Sequence, residues 1–190
     1  AAGFAELGAD VIISDLEQAR ERCEAAASEI AEKFQVSCRF IPADVTEPES
    51  VRRLYAEIEN EFQQLDVVHS NVGVSFPGDH GGVSPDIWNK TFSINTTGTL
   101  LVDQGACELM RKTGRKGAIV NTASMSGFII NRQKEPYAHE VAYPASKAAV
   151  LHLTRGLAME YIKYHVRVNS VSPGYVFSST HERSSEEKLK

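Results

Sequence analysis

Residues 117–121, Gly-Ala-Ile-Val-Asn, form a short apolar run that ends in a polar side chain, which is the pattern of a buried strand. A helical pattern runs from Tyr143 to Tyr164, and a second strand pattern from Val166 to Val171 is closed by the turn-forming pair Pro173-Gly174. A strand, a helix and a strand in this order favour parallel pairing of the two strands. This unit therefore predicts an α/β fold.

The same alternation continues towards the N-terminus. Further strands are predicted at Ala9–Ser14, Val36–Ile41 and Asp66–Asn71, and further helices at about Glu17–Phe34, at Pro48–Phe62 and, in one or two pieces, from Ser84 to about Lys112. Such alternation implies a parallel sheet with helices on both faces, the doubly wound architecture. We expect residues 1–190 to form one domain, with its ligand at the carboxyl ends of the strands.

Composition narrows the possible classes of protein. The 190 residues are 42% hydrophobic and carry a formal net charge of −5, which does not fit a basic nucleic-acid-binding surface. Three scattered cysteines are too few for a disulfide framework or a metal site. There is no apolar run long enough to span a membrane, and the N-terminus lacks the basic start of a signal peptide. We expect a cytoplasmic protein without a metal.

The strongest local signal is Tyr143-Pro144-Ala145-Ser146-Lys147. Residues four apart lie on the same face of a helix, so Tyr143 and Lys147 are predicted to be neighbours. A phenol ordinarily has a pKa near 10, and an adjacent ammonium stabilises its anion. This pair can therefore act as an acid–base group, although a solvated Tyr and Lys pair has the same spacing.

Two further polar positions are candidates for the same site. Ser124 follows the strand at 117–121, where its hydroxyl could bond a substrate oxygen or could cap a turn, and Ser126 is a rival for either role. Asn95 lies inside a predicted helix, where a side-chain bond to the backbone would introduce a kink.

Polar residues at other strand ends suggest a dinucleotide site. Asp15 can accept the ribose hydroxyls of NAD and repel the 2′-phosphate of NADP, or it can cap the following helix. Because no arginine directly follows Asp15, and Arg20 and Arg22 lie further along, NAD is predicted in preference to NADP. Asp44-Val45 could reach an adenine or cap a turn, and the small segment from Asn71 to Gly73 allows close approach to the backbone.

Together these motifs resemble the short-chain dehydrogenase/reductase family over nearly the whole chain. Asn95, Ser124, Tyr143 and Lys147 match the catalytic tetrad of the family in order. Residues 70–73, Ser-Asn-Val-Gly, are similar to its Asn-Asn-Ala-Gly segment, and residues 173–176 to the Pro-Gly turn that lines the nicotinamide, with Ser178 where threonine is usual.

The resemblance implies a Rossmann-like fold and a role for each residue. Tyr143 would exchange a proton with the substrate oxygen, Lys147 would hold the nicotinamide ribose and assist the phenol, Ser124 would orient the substrate, and Asn95 would support a water relay. The cofactor-binding residues implied are Asp15, Asp44, Val45, Asn71, Gly73, Tyr143, Lys147, Pro173, Gly174, Val176 and Ser178. It also implies hydride transfer between NAD and a small alcohol or ketone, in a homodimer or homotetramer.

Two departures from the family pattern bear on function. The tyrosine follows the serine by 19 residues, more than in most members, and the extra loop from Gly127 onwards is expected to shape substrate choice. Three stretches resemble the branch that acts on polyols and ketoses, such as mannitol, arabinitol and sorbose: residues 124–131, residues 148–150 and residues 169–175. The alternatives are a 3-oxoacyl or steroid carbonyl reductase, or a non-catalytic dinucleotide-binding relative.

The second departure is that the first strand and the glycine-rich phosphate loop of the family have no counterpart in this sequence. The resemblance places them before Ala1, and the last elements after Lys190. We therefore expect a piece of a longer enzyme. In the doubly wound order the first strand is central, so its absence predicts a sheet in two parts, separated by one strand's width.

Overall fold

The computed structural model describes residues 1–130 and 140–176, where short strands and helices alternate. The helices are α1 (Ala2–Glu6), α2 (Arg20–Phe34), α3 (Pro48–Phe62), α4 (Pro85–Phe92), α5 (Thr99–Thr113) and α6 (Ala142–Tyr161). The strands are β1 (Val11–Ile13), β2 (Cys38–Phe40), β3 (Val67–Ser70), β4 (Gly117–Thr122) and β5 (Val166–Val171). The sequence predicted the positions of α2 to α6 and of the five strands, and the bounds of α3 and β5 agree with those predicted.

All strand pairing in the described ranges is parallel. β1 pairs with β2, and β4 lies between β3 and β5 in a second sheet. Within residues 1–130 and 140–176, no strand joins the two sheets. The structure thus has the parallel α/β architecture, and the division into two sheets, that the sequence analysis predicted.

One face of the larger sheet packs against helices. The apolar stripe of α3, formed by Val51, Leu54, Tyr55 and Ile58, is buried against α5 because these residues recur at helical spacing. The hydroxyl of Tyr55 donates to the Val102 carbonyl at 2.8 Å, so this aromatic side chain enters the core with its polar atom satisfied.

The carboxyl ends of β3, β4 and β5 lie at one edge of this sheet. Beyond the last paired residues, the Ala123 N–H donates to the Val171 carbonyl at 2.8 Å, and the Met125 N–H donates to the Pro173 carbonyl at 3.1 Å. The segments that follow β4 and β5 therefore run side by side, and α6 carries the Tyr143 motif back across the same edge. In the part of the chain that the structure describes, no helix combines the length and apolar character needed to cross a membrane.

Candidate active site

Lys147 is the buried charge around which the candidate site is built. Its side chain is only 3% exposed, and its Nζ donates to the Val72 carbonyl at 2.8 Å and to the Thr122 carbonyl at 2.7 Å. These carbonyls lie at the carboxyl ends of β3 and β4. Burial disfavours the charged form and lowers the pKa of Lys147 to about 8. The ammonium thus joins two neighbouring strand ends to α6.

Gly73 provides the room that this lysine needs. A β-carbon at position 73 would lie 2.6 Å from Nζ of Lys147, closer than β-carbons are found to other atoms, and 3.1 Å from its Cε, so the lysine would have to shift. The sequence analysis assigned Gly73 to close approach by a dinucleotide, which stays a prediction; the structure shows in addition that Lys147 approaches the same position closely. Asn71 and Gly73 are exposed, so their backbone remains accessible at the strand end.

Tyr143 lies one helical turn before Lys147, on the same face of α6, as the spacing predicts. The Nζ of Lys147 is 5.9 Å from the centroid of the half-buried Tyr143 ring. At that distance the positive charge lies within cation–π range of the ring. The structure therefore brings together the two residues that the motif singles out.

Asn95 lies in a π-helical turn, Ser93–Gly98, between α4 and α5. The sequence predicted a polar kink at this position, and turns of this kind occur frequently at functional sites. The fully buried side chain accepts from the Val74 N–H at 2.8 Å, and its Nδ2 donates to the Val74 carbonyl at 2.9 Å and to the Ser146 Oγ at 3.0 Å. Asn95 thereby fixes the loop after β3 against α6.

Ser124 follows β4 and begins a short 3-10 turn, Met125–Gly127. Its Oγ accepts from the Ser126 N–H at 3.2 Å, which is the turn-capping contact that the sequence left as one alternative. The hydroxyl is nearly buried at the strand edge, and it can still donate to a substrate oxygen while accepting this bond. Ser126 is buried too and remains the rival.

Asp15 lies after β1, and its carboxylate is occupied on both oxygens. Oδ1 accepts from the Leu16 N–H at 2.8 Å, and Oδ2 accepts from Nη2 of Arg22 at 2.9 Å. Asp15 therefore does not cap the following helix, whose first turn has Leu16 at its N-cap and no side-chain bond there. The contact with Arg22 was not predicted, because that arginine lies seven residues further along and reaches back.

The remaining predicted cofactor residues are placed as follows. Asp44 accepts from the Thr46 N–H at 2.9 Å, which is the turn-capping alternative. The side chain of Val45 packs against Gly98, where a β-carbon would lie only 2.7 Å from it. Pro173 and Gly174 lie beside Met125, and Val176 is exposed. Ser178 and residues 131–134 of the extra loop lie outside the described residues.

Two acidic residues near the site were missed by the sequence analysis. The first is Asp79, whose carboxylate accepts three backbone N–H groups at the start of α6. The Pro77-Gly78 pair indicates a turn just before it, but a partner more than 60 residues away leaves no local pattern. The second is Asp103, which lies on α5 beneath β4.

Asp103 is a fully buried carboxyl group without a cationic partner among residues 1–130 and 140–176. Asn121 donates to its Oδ2 at 2.7 Å, and the Ser70 hydroxyl lies beside the same carboxyl and helps to lower its pKa, whereas Asn121 Oδ1 has no hydrogen-bond partner in those ranges. Burial raises the pKa of Asp103 to about 7, and the bond from Asn121 opposes that rise. When Asp103 is protonated, its carboxyl adds a second hydrogen-bond donor to this group, beside the hydroxyl of Ser70.

Comparisons with known proteins give one consistent result. The family described as short chain dehydrogenase matches residues 1–189. The chain is 32% identical to a sorbose reductase of Candida albicans, over 94% of this chain and 61% of that protein. It is also 32% identical to a 3-oxoacyl-[acyl-carrier-protein] reductase of Aquifex aeolicus, over 91% of this chain and 66% of that protein. The chain thus spans less than two thirds of these relatives.

A solved structure gives the same result. The crystal structure of a short-chain type dehydrogenase/reductase from Mycobacterium marinum is 34% identical and superimposes with a TM-score of 0.86. The match covers 99% of this chain and 72% of that one. The fold described above is therefore the fold of that group of proteins.

The raised pKa of Asp103 predicts a pH-dependent stability. The unfolded carboxyl ionises from about pH 4, whereas the folded one keeps its proton to about pH 7, so this group lowers stability as pH rises through that window. Between pH 5 and pH 8 the loss is about 2–3 kcal/mol. Asp103→Asn should remove it, as urea unfolding of the full-length protein at both pH values will show. Asp86→Asn, at an exposed position of α4, is the control, and an equal effect of Asp103→Asn at both pH values would contradict the assignment.

Proposed function

The chain belongs to the short-chain dehydrogenase family, and from that premise we propose that the full-length protein is a nicotinamide-dependent oxidoreductase interconverting a secondary alcohol and a ketone. The observation that carries the proposal is the buried Lys147 ammonium, held by the ends of β3 and β4 and facing the ring of Tyr143. A solvated, merely structural pair would not have its ammonium withdrawn from water.

The residues at the strand ends fit a dinucleotide. Asp15 offers an exposed carboxylate after β1, and Asn71 and Gly73 expose backbone after β3, next to the Lys147 amine. We assign the adenosine ribose to Asp15, and the nicotinamide end to Lys147 and to the turn at Pro173-Gly174. When bound, the nicotinamide supplies or takes up the hydride.

Side chains of the protein carry out the proton transfer that accompanies the reaction. Tyr143 donates its phenolic proton to the carbonyl oxygen during reduction and takes it back during oxidation. The Lys147 ammonium stabilises the phenolate left behind, and Ser124 donates a hydrogen bond that fixes the substrate oxygen. Asn95 holds Val74 and Ser146, and so keeps the loop after β3 in place beside the reacting groups.

For the substrate we propose a polyol or ketose. The resemblance of the motifs to that branch supports it, as does the similarity to a sorbose reductase. The second candidate, a 3-oxoacyl or steroid carbonyl substrate, is favoured by one observation: Phe128, Ile129 and Ile130 are exposed on the loop after Ser124 and provide an apolar surface there. The ratio of kcat/KM for polyols and ketoses to that for oxoacyl compounds decides between them.

Tyr143→Phe removes the proposed proton donor and leaves the ring in place. In the full-length protein kcat should fall by about 10²- to 10⁴-fold, while cofactor binding measured by fluorescence changes less than about threefold. Tyr164→Phe, at the far end of the same helical segment, is the matched control and should keep full activity. An unchanged rate in Tyr143→Phe would instead favour a non-catalytic dinucleotide-binding protein.

The ion pair between Asp15 and Arg22 predicts an adjustable cofactor preference. We propose that NAD is preferred, since the carboxylate binds ribose hydroxyls, and that Arg22 allows some use of NADP, since its guanidinium can bind a 2′-phosphate. Arg22→Ala should raise the ratio of kcat/KM for NAD to that for NADP by about tenfold.

Arg20→Ala is the control for this measurement, because Arg20 pairs with Glu17 and Glu24 and not with Asp15. If both arginine variants change the ratio equally, the pair does not set cofactor choice. The homo-oligomer and the cytoplasmic location predicted above remain predictions.

A further inference from the structure

Asp79 is the last residue of a tight turn at residues 76–79, whose Pro-Gly pair favours that turn. Pro77 fixes its backbone angle, and Gly78 adopts φ +88°, a conformation that side-chain-bearing residues rarely take. The Asp79 N–H closes the turn on the Phe76 carbonyl at 3.2 Å. The Asp79 side chain is 8% exposed, and no cation lies within ion-pair distance of it among the described residues.

The carboxylate of Asp79 occupies the start of α6. Oδ1 accepts from the Val141 N–H at 2.9 Å and the Ala142 N–H at 2.8 Å, and Oδ2 accepts from the Tyr143 N–H at 2.8 Å. Pro144 has no N–H, and Ala145 donates to the Val141 carbonyl. Every first-turn donor of α6 is therefore satisfied, and Asp79 satisfies three of them, because α6 has no capping side chain of its own.

The loop that carries Asp79 is bonded to the candidate site and to the start of α6 at several points. At its start the Val72 carbonyl accepts from Lys147, and next Val74 exchanges two bonds with Asn95. Beyond these, the Ser75 hydroxyl donates to the carboxylate of Glu140 at 2.7 Å. Asp79 is the last contact of this series, and it bonds the backbone of Tyr143 itself.

We propose that Asp79 is a positioning residue for the reaction proposed above, on which this inference rests. It ties the N-terminal end of α6 to the loop after β3, so that the Tyr143 phenol keeps a fixed position relative to Lys147 and the strand ends. Lys147 fixes α6 at one turn and Asp79 fixes it at the preceding one, which prevents the helix from tilting away from the loop.

A second substitution distinguishes a residue that only caps α6 from one that also positions Tyr143, because it can restore the cap without restoring the connection to the loop. In Asp79→Ala the start of α6 loses its partner. Adding Val141→Ser places a hydroxyl at the N-cap position, which can accept from the Tyr143 N–H when residue 141 takes the extended backbone of a capping residue. It does not restore the connection to the loop. Asp86→Asn, an exposed carboxylate in the first turn of α4, is the control.

We expect Asp79→Ala in the full-length protein to speed amide hydrogen exchange at Ala142 and Tyr143, and also at Val74 and Ser75 in the loop. We expect kcat to fall by about 10- to 100-fold, while KM for the cofactor changes less than about threefold. In the double variant with Val141→Ser, exchange at Tyr143 and thermal stability should recover, whereas kcat and exchange in the loop should not.

Two results would overturn the proposal: faster exchange confined to residues 142 and 143, or recovery of kcat together with stability in the double variant. If Asp79→Ala does not fold, Asp79→Asn tests the same connection, because an amide offers only one acceptor oxygen to the three donors. If the wild-type protein lacks oxidoreductase activity, the proposed function fails, and the exchange pattern in the loop alone decides the role of Asp79.

Discussion

The withdrawal of one ammonium group from water is the constraint on which the rest of the site depends. Transferring such a charge into the protein costs several kcal/mol unless it finds partners. Lys147 finds two, the carbonyls of Val72 and Thr122, and these are available only because β3 and β4 are parallel neighbours that end together. Gly73 leaves the space for the amine, and α6 delivers it with Tyr143 one turn away.

Two buried ionisable side chains, those of Lys147 and Asp103, form hydrogen bonds to neighbouring residues of β4. Lys147 bonds the carbonyl of Thr122, and Asp103 bonds the side chain of Asn121, the residue before it. Burial moves their pKa values in opposite directions, to about 8 for the lysine and to about 7 for the aspartic acid. The carboxyl end of β4 thus carries buried polar groups on two successive residues, Asn121 and Thr122, and the hydrogen bonds from Asn121 and Lys147 hold Asp103 and the lysine in place there.

The sequence predicts what is encoded locally. Apolar periodicity places α3 and β5, and the spacing of Tyr143 and Lys147 puts both side chains on one helix face. An amide inside a helix predicts the irregular turn at Asn95. These features depend on residues within one or two turns of each other, so no tertiary information is needed to find them.

The contacts that the sequence did not predict are made by side chains that reach across the fold. Asp79 caps a helix more than 60 residues away, and Arg22 bends back to Asp15 from the following helix. Asp103 shows a related limit. Its spacing in α5 places it on the same buried face as Cys107 and Met110, but a carboxylate is ordinarily expected in solvent, and only the contact with Asn121 shows how it is held in the core. Asp44 is a different case, because its contact is local: the structure shows it capping its own turn through Thr46, which is one of the two alternatives that the sequence left open.

The most direct test of this account is the single-turnover rate of hydride transfer in full-length Lys147→Met, with Lys163→Met at an exposed position as control. Methionine fills a similar volume without the charge, so the fold should survive. The account predicts a rate at least about 100-fold below that of the wild-type protein, and a control that is unaffected. A folded, cofactor-binding Lys147→Met that transfers hydride at the wild-type rate would contradict it.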